Sequence, residues 1–247
     1  MGNQILVWSL INLKKRYLFS FIISLTLGSF LFWFFANPGE ATSSEAFQKW
    51  SNERQLNLTK QKLMEVEIFS PQFKFESLEV VYVGPGKPYF SWWGHLLLRF
   101  VGSGTQPEKD FAVGFVADFN DFPLNKYKGL MGGYTVMAKL DTLENYYRDY
   151  VVNQNREFVR YPLASTQLQR DLLKENLKAW IKDPTKPGSY SFAKNNCVGL
   201  MGNLLEESQF RIKGHDSFFP NDFIKNLSSM GVLYQSGKSI GLVGALR

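Results

Sequence analysis

The chain has one cysteine, Cys197, and two histidines, His95 and His215, so nucleophilic chemistry has few side chains to draw on. Cys197 follows Asn195 and Asn196. Asparagine is a good helix N-cap, which predicts the cysteine in the first turn of a helix. There the unpaired backbone N–H groups and the positive dipole end favour a thiolate, lowering the thiol from its usual ~8.5. The same N–H groups can donate to an oxyanion. The alternative is a buried cysteine acting as a small hydrophobe. A nucleophilic thiol needs a base. His95 follows Ser91-Trp92-Trp93-Gly94 and opens an apolar run, so a strand would aim it rigidly beyond its own end. His215 lies in the polar stretch Lys213-Gly214-His215-Asp216, which must fold back over a short helix to reach Cys197. His95 is therefore the preferred base; a structural histidine is the alternative for either. One cysteine excludes an intramolecular disulfide and a Cys-rich zinc site, and two histidines leave little for a His-based metal site. The expected cofactor and metal content is none.

These side chains need elements to hold them. Runs 78–83, 95–101, 111–116, 134–140 and 158–163 are rich in Val, Leu, Phe or Tyr and bounded by Gly, Pro, Asp or Ser, the pattern of short strands. From Ser165 the period changes. Leu168, Leu172, Leu173, Leu177, Trp180 and Ile181 recur at helical spacing, with Ser165 or Thr166 as cap and Asp183-Pro184 as stop. A second helix starts near Asn196 and a third after Pro220-Asn221, while 44–64 fits one or two short helices. Strands first and helices later within one unit predict an α+β fold. The 247 residues, 45% hydrophobic and 20% charged, exclude disorder and coiled coil. The net charge of +6 suits an anionic membrane surface, and no basic block with interleaved aromatics supports nucleic acid as a partner.

Residues 17–36 read YLFSFIISLTLGSFLFWFFA, without a charge and long enough for a bilayer-spanning helix. Lys14, Lys15 and Arg16 precede the segment, which puts the amino terminus in the cytoplasm and the rest outside. The expected organisation is a cytoplasmic segment (1–16), a single-pass anchor in the cytoplasmic (inner) membrane (17–36), a linker (37–46) and an extracytoplasmic or periplasmic domain (47–247). A cleaved signal peptide is the competing reading. Tyr89, Phe90, Trp92 and Trp93 crowd before His95; they can line an acyl-chain slot, dip into the interface, or simply pack in the core.

The order of a Gly-His opening a strand, several strands, then Asn-Cys at a helix start resembles the circularly permuted papain-like (NlpC-like) proteins, in which histidine precedes cysteine. More narrowly, Ser91-Trp92-Trp93-Gly94-His95-Leu96-Leu97-Leu98-Arg99-Phe100 is similar to a W-x-G-H-x-x-L-R stretch of the bacterial Lnb-type lipoprotein N-terminal transacylase family. Gly114-Phe115-Val116-Ala117-Asp118-Phe119, Gly133-Tyr134-Thr135-Val136 and Tyr190-Ser191-Phe192 leading to Asn195-Asn196-Cys197 fit the same family. The resemblance implies a papain-like domain with a central antiparallel sheet and a helix carrying the cysteine. It implies Cys197 as nucleophile and His95 as base, in acyl transfer from a membrane phospholipid, through a thioester, to the N-terminal amine of a lipoprotein. Asp118 matches an acidic position of the family pattern as a third residue, with Asp110 as fallback; the strand after the histidine strand offers only apolar residues at 111–113. Trp92, Trp93, Arg99, Tyr190 and Asn196 are the candidate substrate contacts, Arg99 either toward a lipid phosphate or simply solvated. The rival readings are a papain-like cell-wall amidase or peptidase with the same dyad, and a non-catalytic module that binds lipid or lipoprotein.

Overall fold

The computed structural model describes residues 26–29, 31, 44–87, 91–212 and 219–233. The expected anchor therefore lies outside the described residues save for five positions, as do Tyr89, Phe90 and His215. Among the described residues no helix is long and apolar enough to cross a membrane.

A helix α1 (Ser44–Phe69) leads into strand β1 (Ser77–Val83), then β2 (His95–Val101), β3 (Phe111–Asp118), a short α2 (Lys126–Met131) and β4 (Tyr134–Thr142). Helix α3 (Leu143–Tyr147) runs on as a π-helical turn, Arg148–Asn153, before β5 (Phe158–Leu163). Then follow α4 (Gln167–Lys182), a two-residue β6 (Ser189–Tyr190), α5 (Cys197–Glu207) and α6 (Pro220–Ser229). The six strands form one sheet in the order β5-β1-β2-β3-β4-β6, every described pair antiparallel. The fold is α+β.

Side chains alternate across this sheet. Leu96, Leu98 and Phe100 of β2, with Val80 and Val113, face the main core, where α4, α5 and α6 bury Leu177, Leu200 and Phe223. The opposite side carries Val81, Val83, Leu97 and Ala112 beneath Leu143, Tyr146 and Tyr147. The caps that end the helical patterns are as the sequence suggests: Thr166 closes a capping box with Gln169 on α4, and Asn196 caps α5. The first helix differs. Instead of one or two short helices it is a single helix of 26 residues, long and polar, with Gln61 and Ile68 as its buried positions. Gln61 fastens it to the sheet, donating to the Leu140 carbonyl at 2.8 Å and accepting from the Leu140 N–H at 2.7 Å. Of its apolar residues Ile68 alone is buried, so the buried apolar pattern is weak, and tertiary polar contacts such as the Gln61 pair hold it instead.

Arg99 is 2% exposed in the sheet and forms the internal pin of the β2–β3 turn. Its Nη2 lies 2.6 Å from Asp110 Oδ2, its Nη1 2.8 Å from Glu79 Oε2, and Nη2 also donates to the Pro107 carbonyl. The other oxygen of Asp110 accepts the Gly102 and Gly104 N–H groups, both at 3.0 Å. Removing one partner strands the other charge in the interior. Asp110→Ala is expected to lower stability by about 3–5 kcal/mol, read as an early midpoint in denaturant; a change under about 1 kcal/mol would contradict the pin.

Candidate active site

Gly94 places His95. At φ +89 it turns the chain into β2, and a Cβ there would meet the Val83 carbonyl oxygen at 2.6 Å, so only glycine fits. His95 pairs with Val83 and, by alternation, projects on the side of Leu97. Its ring lies over Gly114 of β3: a Cβ at Gly114 would be 2.9 Å from His95 Nε2. Tyr150 on the π-helical turn covers the ring, centroid to centroid 6.1 Å. The Nε2 atom is enclosed and has no hydrogen-bond partner.

Cys197 comes from the other side of the sheet. It is the first residue of α5, 6% exposed and part of the main core. The Asn196 side chain accepts from the N–H groups of Val198 (2.9 Å) and Gly199 (3.3 Å), and its amide donates to the Phe192 carbonyl. The two faces communicate because the sheet parts here. Strands β2 and β3 pair only from Leu97↔Gly114 to Arg99↔Ala112, whereas β3 continues on β4 to Asp118↔Thr135. In the gap the Leu96 N–H, with those of Cys197 and Val198, turns toward the Cys197 sulfur. His95 and Cys197 border one cavity of about 30 Å³ there, together with Trp93, Tyr190 and Pro220. Gly94, His95, Tyr190 and Phe192 also belong to a neighbouring cavity of about 220 Å³ that extends over Tyr150, Lys139 and Arg156.

Burial sets the protonation of both groups. Desolvation pushes the Cys197 thiol up to about 11, against the pull of the three N–H groups and the Arg156 charge. The expectation of a lowered thiol is thereby corrected: the helix N-terminus acts as foreseen, and loss of water outweighs it. Desolvation, then the charges of Arg156 and Lys139, hold His95 down to about 3. At neutral pH the site holds a neutral thiol and a neutral imidazole. Such an imidazole can accept a proton, and a thiol that sheds its proton during attack finds backbone donors already facing it.

The other expected residues fall in different places. Tyr190 borders both cavities, its hydroxyl facing the Cys197 N–H, and burial raises it well above the usual phenol range. Trp93 borders the small cavity. Trp92 is 50% exposed and Trp93 39%, packed edge to face with each other, and Trp92 donates to the Lys87 carbonyl. Asp118 is not brought to the pair: Arg54 of α1 holds both its oxygens, at 2.9 and 3.1 Å. Arg99 shares the strand face of His95, as alternation requires, yet its guanidinium is spent on Asp110 and Glu79 and cannot reach a lipid phosphate. Asp110 is used in the same pin. Residues that sequence reasoning missed are Gly114, whose lack of a side chain seats the imidazole, and Tyr150, Lys139 and Arg156, which wall the larger cavity. Among the described residues no cluster of His, Cys, Asp or Glu could hold a metal ion.

Among the described residues, one thiol and one imidazole border a common cavity at a helix start, beside a parted antiparallel sheet, in an α+β domain. The chain belongs to the Lnb N-terminal periplasmic domain family, which matches residues 65–230 and so spans both His95 and Cys197. No curated protein and no solved structure matches it. Membership supports an extracytoplasmic setting for the globular part and a relation to lipoprotein processing.

Alkylation of Cys197 by a small uncharged reagent tests the protonation state. With the thiol up to about 11, the rate is expected to climb without plateau from pH 6 to 10, about tenfold per pH unit while thiolate is the minor form. His95, held down to about 3, adds no step near pH 6.5. A plateau already reached at pH 7 would contradict it.

Proposed function

We propose that this protein is a membrane-anchored thiol acyltransferase that moves an acyl chain from a phospholipid to the N-terminal amine of diacylated lipoproteins. The observation that carries the reading is the shared cavity of His95 and Cys197, within a domain of the Lnb family. The papain-like ancestry, the anchor at 17–36 and the identity of donor and acceptor belong to the same proposal.

The Cys197 sulfur attacks the ester carbonyl of the donor while His95 takes the thiol proton. The tetrahedral oxyanion collapses and expels the glycerol oxygen, which receives that proton from His95 and leaves as lysophospholipid. Cys197 now carries the acyl group as a thioester. The lipoprotein amine attacks the thioester, His95 accepts a proton from it, and the departing sulfur is reprotonated. Each step needs a base that is neutral before it acts; the buried imidazole is neutral at pH 7, and the same burial weakens it as an acceptor of the thiol proton. An acyl-enzyme splits one hard transfer into two easier ones. The exposed Trp92–Trp93 pair at the rim suits the bilayer interface, where indole rings prefer to sit. This apolar rim favours a lipid donor over a wall peptide. No third, orienting carboxylate is required by the proposal; Asp118 stays with Arg54.

Incubation of the purified chain with phospholipid, followed by intact-mass measurement, is expected to show one added acyl mass on Cys197, reversed by hydroxylamine. Cys197→Ala abolishes the adduct and His95→Ala slows its formation about 10²–10⁴-fold, while His215→Ala leaves it unchanged. Cleavage of a muropeptide with no thioester would replace the proposal by the amidase reading. Activity retained by Cys197→Ala would leave a binding module.

Gly114→Ala provides a geometric check. The added methyl would lie 2.9 Å from His95 Nε2 and 2.7 Å from a Leu97 methyl. Displacing the imidazole is expected to slow acylation about 10–100-fold with little change in far-UV circular dichroism. An unchanged rate would mean that the ring need not lie over β3.

A further inference from the structure

The larger cavity contains a cation with an unused donor. Arg156 is 6% exposed. Its Nε donates to the Gly84 carbonyl at 2.7 Å, its Nη1 to Gln154 at 3.2 Å, and the guanidinium lies 4.7 Å over the Tyr150 ring. Its Nη2 is enclosed and has no partner. Among the described residues no carboxylate pairs with Arg156, in contrast to Arg99, whose fork is filled by Asp110 and Glu79. A buried guanidinium N–H left empty costs free energy unless something fills it, and no protein group does. Lys139 lines the same cavity, as does Asp149, whose half-exposed carboxylate lies 3.8 Å from the Lys139 ammonium. The same lining includes the apolar side chains of Val116, Ala117, Phe119 and Phe192. Two cations, one carboxylate and several apolar side chains therefore line the cavity, and His95 stands where it meets the one that holds Cys197.

We infer that Arg156, supported by Lys139, is the receptor for the phosphodiester of the phospholipid donor. The inference rests on the acyltransferase reading and gives its donor site an address. A phosphodiester is a monoanion with two free oxygens, a match for a planar guanidinium already fixed by Gly84 and Tyr150. Seated there, the lipid lays its glycerol past His95 and presents its ester toward Cys197, with the hydrocarbon against Val116, Phe119 and Phe192. Arg156 is a binding residue in this scheme and moves no proton.

The test uses the full chain in detergent carrying Cys197→Ala, so that binding is read without turnover. Affinities are measured for lysophosphatidylglycerol and for monoacylglycerol of the same chain length, which lacks the phosphate. The phosphate-bearing lipid is expected to bind at least about tenfold more tightly. Adding Arg156→Gln should abolish that preference, and Lys139→Gln should narrow it, each leaving monoacylglycerol within about twofold. Equal affinities in the parent, or a preference that survives Arg156→Gln, overturn the inference. Arg156→Gln also loses the Gly84 bond; if it fails to fold, a preference untouched by Lys139→Gln and by Arg156→Lys overturns it instead. Inorganic phosphate competing at the concentration of the lipid would make this a free-phosphate site and equally overturn it. Acylation of wild-type Cys197 is followed in parallel: acylation without a phosphate preference removes the receptor and leaves the acyltransferase, whereas no acylation by any donor removes both.

Discussion

Strands β2 and β3 separate beyond Leu97↔Gly114, and the rest of the site depends on that parting. Had they stayed paired to the end of β2, the Leu96 N–H would be engaged in the ladder and α5 would meet an unbroken sheet. His95 and Cys197 would then be isolated on opposite faces. The opening lets a residue packed in the main core and one projecting into the tyrosine layer border a common space. Two features keep the gap in shape. Gly94 at φ +89 starts β2 abruptly, and the pin of Arg99 on Asp110 and Glu79 fixes its far end.

The same enclosure decides the chemistry. Depriving both groups of water costs each its charged form, so the dyad rests neutral, with the thiol up to about 11 and the imidazole down to about 3. A resting ion pair would hold a reactive thiolate exposed to every oxidant in an extracytoplasmic compartment. A neutral pair develops charge only when an electrophile is in place, and the backbone donors around the sulfur are oriented beforehand. Arg156 lowers the thiol and opposes protonation of His95, so one cation eases release of the proton and resists its acceptance.

Much of this was legible in residue order, for local reasons. The strands starting at His95 and Phe111, the helix capped by Thr166 and the Asn196–Cys197 start depend on near neighbours: alternation, caps and turn residues. Asp118 and Arg99 misled for a tertiary reason, since their partners Arg54 and Glu79 are distant in sequence. Arg156 carried no local signal. It follows the π-helical turn as an ordinary loop cation, and only the β1–β5 pairing carries it to Gly84 and the cavity. Gly114 stood inside a family-like stretch, but its purpose, making room for an imidazole from the adjacent strand, needs the register. Helix α1 was understated because it is attached by Gln61 on Leu140 and Arg54 on Asp118 rather than by a buried apolar stripe.

The account turns on a neutral imidazole coupled to a neutral thiol. Nitrogen-15 NMR of the histidine rings, titrated in the wild type and in Cys197→Ala, reads this directly. His95 is expected to keep the neutral-ring shifts from pH 8 to below 5, in keeping with a value near 3, and to respond to loss of the sulfur. An imidazolium present at pH 7 that disappears in Cys197→Ala would show a preformed ion pair and contradict it. A ring indifferent to the substitution would show that the two side chains do not share a site.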